Sequence, residues 1–212
     1  MYTIIFLTVD EIYDETQATI RRNQQNNRQT GFVRIISGRW RGRKLPVHDV
    51  EGLRPTTDRV KETVFNWLAQ DLYQAKCLDL FAGSGGLGFE ALSRGADSLT
   101  LLELDSKAAN QIKQNLATIG AENATLHNTD ALKFLAQAGT PHDVVFIDPP
   151  FRKDLIASVI ELLENNGWLT PQAMIYIETE KELGDLPTPA HWHLHREKIA
   201  GQVSYRLFER EE

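Results

Sequence analysis

From Cys77 to Thr179 the chain repeats one pattern: an apolar run, a turn, an amphipathic stretch. That alternation limits the fold more than any other feature. The strand-like runs are KCLDLF (76–81), SLTLLEL (98–104), ATLHN (124–128), DVVFID (143–148) and AMIYIET (173–179). Helical periodicity occupies 87–94, 106–119, 130–138 and 153–166. Strands separated by helices specify a mostly parallel sheet with helices on both faces. After residue 180 the alternation stops. HWHLHREKI, a turn at Gly201 and VSYRLFERE read as two strands of an antiparallel hairpin closing the sheet edge. The fold class is α/β, with seven strands.

The residues before this block read differently. Residues 1–31 end in RRNQQNNRQTG, polar and without periodicity, and are expected to be a flexible lead-in. FVRIISGRWRGRKLPV (32–47) has short β-prone runs broken by Gly38 and Gly42, which predicts a small hairpin. Residues 56–72 place Val60, Val64, Phe65 and Leu68 on one helical face, with Thr57 or Asp58 as N-cap. The division is therefore a lead-in (1–31), a basic hairpin and helix (32–75) and an α/β domain (76–212).

Composition narrows the setting. With 212 residues, 42% hydrophobic and 25% charged, the chain can bury one core carrying an appendage. A single cysteine, Cys77, allows no internal disulfide, fits a reducing compartment and reads as a small core residue. MYTIIFLTVDEIYDE has no basic leading region and meets acids at once, so it is a poor signal peptide. No stretch approaches the roughly 20 apolar residues of a membrane span. A cytoplasmic location is expected. Net charge is −6, yet residues 28–61 carry nine Lys/Arg against three acids, leaving −12 on the rest. A basic segment on an acidic body suits a polyanion, although charge alone leaves a merely solvated surface equally open.

LDLFAGSGGLGFEAL (78–92) follows the first strand and opens a helix. Gly83-Ser84-Gly85-Gly86-Leu87-Gly88 satisfies the dinucleotide fingerprint, a weak signal alone. Asp79 separates the ligand classes. An unpaired carboxylate inside an apolar strand is expensive, and a pyrophosphate on the adjacent loop would be repelled by it. A ligand with ammonium and sulfonium centres and no phosphate, such as S-adenosyl-L-methionine, would be attracted. Glu103, twenty residues past Gly83, can accept ribose hydroxyls from this ligand or from a nicotinamide dinucleotide. Asp105 reads as a helix N-cap. Asp130 is either an N-cap or an acceptor for an adenine amino group.

VVFIDPPFRK (144–153) ends the fourth strand with Asp148, Pro149, Pro150 and Phe151. Proline cannot donate to a ladder, so the strand stops where the acid sits. Ligands of open α/β sheets bind at this carboxyl edge. An exocyclic base amine is a poor nucleophile carrying two hydrogens. The Asp148 carboxylate and the Pro149 carbonyl can each accept one, aiming the nitrogen lone pair at a methyl donor. Two prolines hold that bend with little entropy to lose, and Phe151 offers a stacking face. Arg152 and Lys153 suit phosphates.

DLFAGSGGLGFEAL, LLELD, DPPF and the terminal hairpin resemble the class I S-adenosylmethionine-dependent methyltransferases, whose fold is Rossmann-like. RIISGRWRGRKLPV, LRPTTDRVKETVFNWL and FIDPPF further resemble the bacterial 16S rRNA (guanine-N2)-methyltransferase family (RsmD-like), over about residues 32–210. Residues 1–31 do not match that family's pattern. The resemblance implies methylation of one guanine N2 in small-subunit rRNA, on assembled 30S particles; a monomer is expected. It implies cofactor contacts from Thr56, Asp79, Phe81, Ala82, Gly83, Ser84, Gly85, Glu103, Leu104, Asp130 and Ala131. Asp148, Pro149, Pro150 and Phe151 would hold the guanine. Arg34, Arg39, Trp40, Arg41, Arg43 and Lys44, with Arg152 and Lys153, would dock RNA. His191, His193 and His195 alternate along one strand, but no carboxylate or cysteine accompanies them in sequence, and no metal is expected. The alternatives are a DNA amino-methyltransferase, a dehydrogenase, and a non-catalytic RNA-binding assembly factor.

Overall fold

The computed structural model describes residues 31–48, 57–151 and 154–211. The expected lead-in, apart from Gly31, lies outside them, as do Thr56, Arg152 and Lys153. Strands β1 (Gly31–Arg34) and β2 (Lys44–Val47) pair antiparallel, with Arg34 opposite Lys44. Helix α1 (Asp58–Trp67) is capped by the Thr57 side chain, which accepts from the Val60 amide. Asp58 is thereby left to pair with Arg34 at 2.6 Å and Lys61 at 3.6 Å. The helix ends short of residue 72, at a C-cap Leu68 whose amide donates to the Val64 carbonyl, and Gln74 further on takes φ 62°.

The alternating block follows as β3 (Lys76–Asp79), α2 (Gly86–Ser93), β4 (Ser98–Glu103), α3 (Ser106–Ile119) and β5 (Ala124–Asn128). It continues as α4 (Ala131–Leu135), β6 (His142–Ile147), α5 (Ile156–Asn165) and β7 (Leu169–Glu180). A 3₁₀ turn at Lys181–Leu183 leads to β8 (Trp192–Ala200) and β9 (Val203–Arg210). Two helices are shorter than the periodicity predicts. Helix α4 begins only after its cap, Asp130, and α5 only after Asp154 leaves helical space at φ 48°. Strand β7 is longer than expected. Its register against β6 jumps between His142↔Leu169 and Val144↔Met174, a bulge around Pro171, which has no amide to donate.

The seven-stranded sheet has the order β5-β4-β3-β6-β7-β9-β8. The first five strands in that order pair parallel; β9 pairs antiparallel with both β7 and β8. The last strand of the chain is therefore interior and β8 is the edge. Burial explains the choice, since nearly all of β9 is buried while β8 is exposed beyond Trp192.

Side chains alternate across the sheet into two cores. One face packs Val33, Leu45, Phe65, Leu101, Leu116 and Phe146, so the hairpin, α1, α2 and α3 share it. The other packs Leu78, Val145, Val159, Leu163 and Trp168, with α4 and α5. Cys77 is fully buried and its thiol is pushed up to about 12 by burial, consistent with a packing role. Glu164 on α5 accepts from the Trp192 indole at 2.5 Å and from Arg210 at 2.8 Å, bolting the terminal hairpin to the helix layer. Among the described residues, no helix is long and apolar enough to cross a membrane.

Candidate functional site

The carboxyl ends of β3, β4, β5, β6 and β7 lie along one edge of the sheet. The loop after β3 is fixed from both sides: the Leu80 amide donates to Phe146 and the Ala82 amide to Leu102, the strands flanking it. Gly85 caps α2 at φ 77°, where a Cβ would stand 2.5 Å from the Phe89 ring. At Gly88 the constraint is space. A Cβ there would meet Leu99 at 2.8 Å and Leu101 at 2.9 Å, and lie 3.4 Å from Asp79 Oδ2. Helix α2 can approach the sheet, and Asp79, only because this residue has no side chain.

Asp79 is 1% exposed, and among the described residues neither carboxylate oxygen has a hydrogen-bond partner. The Phe81 and Gly88 backbone amides act on it only in part, and burial pushes the carboxyl up to about 7. A buried acid met only by backbone amides, beneath a glycine loop, is a group that a cation would stabilise. Around it, Ala82 and Ser84 are buried and Phe81 is half-buried.

Glu103 ends β4. Its Oε2 accepts from the Gly83 amide and its Oε1 from the Asp105 amide, both at 2.7 Å. The carboxylate thus ties the glycine loop to the next strand, and its remaining lone pairs stay available to hydroxyl donors. Burial raises its pKa, opposed by those two amides. Leu104 beside it is 70% exposed. Asp105 caps α3, accepting from the Lys107 and Ala108 amides. Asp130 caps α4, accepting from the Lys133 amide through Oδ1 at 3.0 Å, with Oδ2 outside that capping bond; Ala131 is buried. Capping and ligand contact are compatible at this residue.

Asp148 follows β6 directly and is half-buried. Pro149 is buried, Pro150 exposed, and the Phe151 ring 44% exposed, so a flat apolar face stands at the rim. The structure therefore brings the glycine loop, Asp79, Glu103, Asp130 and Asp148 to one sheet edge.

The basic hairpin divides. Arg34, Arg39, Arg41, Arg43 and Lys44 are exposed, and Trp40 is half-buried with the Arg39 guanidinium 5.4 Å from its ring centroid. Arg34 is paired with Asp58, and Arg43 donates to the Thr118 carbonyl at 3.0 Å. Lys61, counted in the basic segment, is no part of a surface. It is 1% exposed and donates to the Arg34 carbonyl at 2.5 Å.

Two acids were not anticipated from the sequence. Glu90 on α2 is fully buried and accepts from the Ile36 and Ser37 amides at 2.7 and 3.0 Å and from Arg94 at 2.7 Å. Glu178 on β7 is 6% exposed and accepts from the Tyr176 hydroxyl at 2.6 Å. The signal that exposed Asp79, an acid within an apolar strand, was equally present in AMIYIETE. The histidines do have acidic neighbours, supplied by other elements: His191 meets Glu164 at 3.3 Å, His193 Glu211 at 3.4 Å and His195 Glu209 at 4.0 Å. A bulge at His195 breaks their alternation, so the three pairs do not converge.

A family model described as "Conserved hypothetical protein 95" matches residues 33–209. The chain is 60% identical over 187 residues to "Ribosomal RNA small subunit methyltransferase D" of Escherichia coli (strain K12), covering 88% of this chain and 94% of that protein. Identity to the protein of the same name from Haemophilus influenzae is 57%, over 84% of this chain and 94% of the relative. Among solved structures, "Putative methyltransferase yhhF from Escherichia coli" superposes with a TM-score of 0.81 at 57% identity, covering 86% of this chain and 99% of that one.

Proposed function

The chain belongs to the family described as Conserved hypothetical protein 95, and from that membership we propose an S-adenosyl-L-methionine-dependent methyltransferase acting on the N2 amine of one guanine in small-subunit rRNA. The observation that carries the cofactor is Asp79. It is a buried carboxyl that no side chain neutralises, beneath a glycine loop packed close against it. The donor set fits: a carboxylate for the cationic end, Glu103 for vicinal hydroxyls, and Asp130 with Ala131 at the adenine end. Bound S-adenosyl-L-methionine supplies an electrophilic methyl group.

The protein's own residues do the rest. Asp148 accepts a hydrogen bond from the guanine amine and the Pro149 carbonyl accepts another, which turns the nitrogen lone pair toward the donor. Phe151 stacks on the base, and the rigid Pro149-Pro150 bend holds both acceptors in place. An orienting site of this kind supplies rate through geometry more than through strong acid or base chemistry. Residues 32–75 form the RNA-docking extension, with Arg34, Arg39, Trp40, Arg41, Arg43, Lys44 and the flanking Arg152 and Lys153 on phosphates, and 76–212 form the catalytic domain. The substrate is the 30S particle, and the enzyme works as a monomer.

The test incubates the protein with methyl-labelled S-adenosyl-L-methionine and unmodified 30S subunits, naked 16S rRNA or duplex DNA, then analyses nucleosides. Label in N2-methylguanosine from 30S subunits is the expected result. Label in naked rRNA would remove the particle requirement. Label in DNA would favour an amino-methyltransferase of DNA, and no label with cofactor still bound an assembly factor.

A further inference from the structure

The described acceptors leave one chemical question: where the amine's proton goes. The answer lies one strand away from Asp148. The parallel register pairs Phe146 with Tyr176 and Ile147 with Ile177, so the next step sets Asp148 beside Glu178. Val144, Phe146, Met174 and Tyr176 all enter the core beneath α1, and alternation turns Asp148 and Glu178 to that same side. On the far side of β7, Glu178 pairs with Tyr205 of β9.

The Tyr176 and Glu178 pair is enclosed. Tyr176 is fully buried and Glu178 is 6% exposed, with the hydroxyl donating to Oε1 at 2.6 Å. The Trp67 ring of α1 stacks on Tyr205 at 5.4 Å, and Phe65 packs on Phe146 at 5.8 Å, which closes the cluster to solvent from above. Asp148 from the end of β6, Glu178 from β7 and Tyr205 from β9 act on Tyr176, Tyr176 in turn acts on Glu178, and α1 contributes the Trp67 ring against Tyr205. Asp148 and Glu178 both raise the Tyr176 pKa, after burial itself, so the hydroxyl remains a donor and never competes for the proton. Burial likewise raises the Glu178 pKa, opposed by the Tyr176 hydrogen bond. Glu178 holds a proton more firmly than a solvated carboxylate does.

We propose that Glu178, held by Tyr176, is the second carboxyl of the transfer site and takes from Asp148 the proton that leaves the exocyclic amine. The inference rests on the reading of Asp148 as the amine's acceptor. The nitrogen–hydrogen bond breaks toward the Asp148 carboxylate, which becomes neutral as the nitrogen loses its positive charge. Asp148 then gives that proton to ionised Glu178 and returns to its acceptor state; once the methylated base has left, the proton passes back through half-buried Asp148 to water. Glu178 acts through Asp148 and is therefore a positioning and proton-holding residue, one that the base does not touch.

Two measurements test this. In the cofactor-free protein, carbon-detected NMR follows the Glu178 carboxyl through its titration. Asp148→Asn removes a neighbouring negative charge and should lower that titration by about one pH unit. In turnover on the ribosomal substrate, Glu178→Gln should lower kcat about a hundredfold with KM unchanged, and move the acid limb of the kcat profile to lower pH. Tyr176→Phe keeps the core volume and should lower kcat about tenfold, the worth of one hydrogen bond to a charged group. Glu178→Gln with wild-type kcat and an unchanged profile overturns the proposal, as does a Glu178 titration indifferent to Asp148. Wild-type protein that forms no N2-methylguanosine would sink the underlying reading, and the proton role with it.

Discussion

Asp79 carries a cost that its ligand would relieve. Its folded-state pKa of about 7 stands above the ordinary 3.8, so the folded protein binds this proton more tightly than the unfolded chain. Stability is fully present below about pH 4 and is lost as pH rises from there toward 7, a loss of about 4 kcal/mol at most. Without cofactor, chemical denaturation at pH 5 and pH 8 should show that decline in the wild type. In Asp79→Asn, which stays neutral, the decline should be smaller, the remainder coming from Glu103 and Glu178. Cofactor affinity has the opposite slope, since a cation selects the ionised acid. Calorimetry should record proton release, with affinity falling about tenfold per pH unit below 7. At Asp148 the expectation is different in kind. Asp148→Ala should lower transfer about a thousandfold while cofactor affinity stays within a few fold, because the side chain faces the base. A comparably active variant would take Asp148 out of the mechanism.

At the scale of elements, the hairpin and α2 behave as one unit. Glu90 receives the Ile36 and Ser37 amides, the Arg39 amide donates to the Ser93 carbonyl at 2.7 Å, and Ser93 Oγ bridges the Trp40 amide and the Ser37 carbonyl. Even the close turn at Gly38 depends on this contact, since a Cβ there would stand 1.8 Å from the Ser93 carbonyl oxygen. The helix that opens from the glycine loop is thus the bracket for the basic segment. Glu90→Ala strands Arg94 and two amides, and should cost about 3 kcal/mol. Amide exchange at Ile36 and Ser37 should accelerate before global unfolding; unchanged protection would mean that the hairpin is held by its apolar face alone.

Across the whole molecule, charge is segregated: +6 on residues 28–61 and −12 elsewhere. The exposed Arg41 and Arg43 sit at the hairpin tip. Replacing both by Gln should weaken RNA binding and reduce the slope of log K against log salt by about 1.5, the release expected from two phosphate contacts. An unchanged slope would place the RNA path elsewhere. Lys61 makes no such contribution, since the charge is spent on Asp58 and a backbone carbonyl inside the fold.

What the sequence by itself determined is local. Period-two and period-3.6 runs set the strand and helix identities, and α3 and β5 match their expected bounds to the residue. The glycine loop, Glu103, Asp130 and Asp148-Pro149-Pro150-Phe151 were legible because each combines an acid or a glycine with a strand end, and strand ends of a parallel sheet converge. What only the tertiary structure decided is pairwise. The insertion of β9 between β7 and β8 depends on which strand of the hairpin is buried on both faces, and on β9 one of those faces carries Ser204, Arg206 and Arg210. Arg34 and Arg43 look alike in sequence, and only the packed neighbours assign one to Asp58 and the other to α3. Glu90 reads as an ordinary acid, and Glu178 as an acid in an apolar strand with no partner marked, until the elements around them close. Removal from water then makes their hydrogen bonds obligatory, and no spacing along the chain records that.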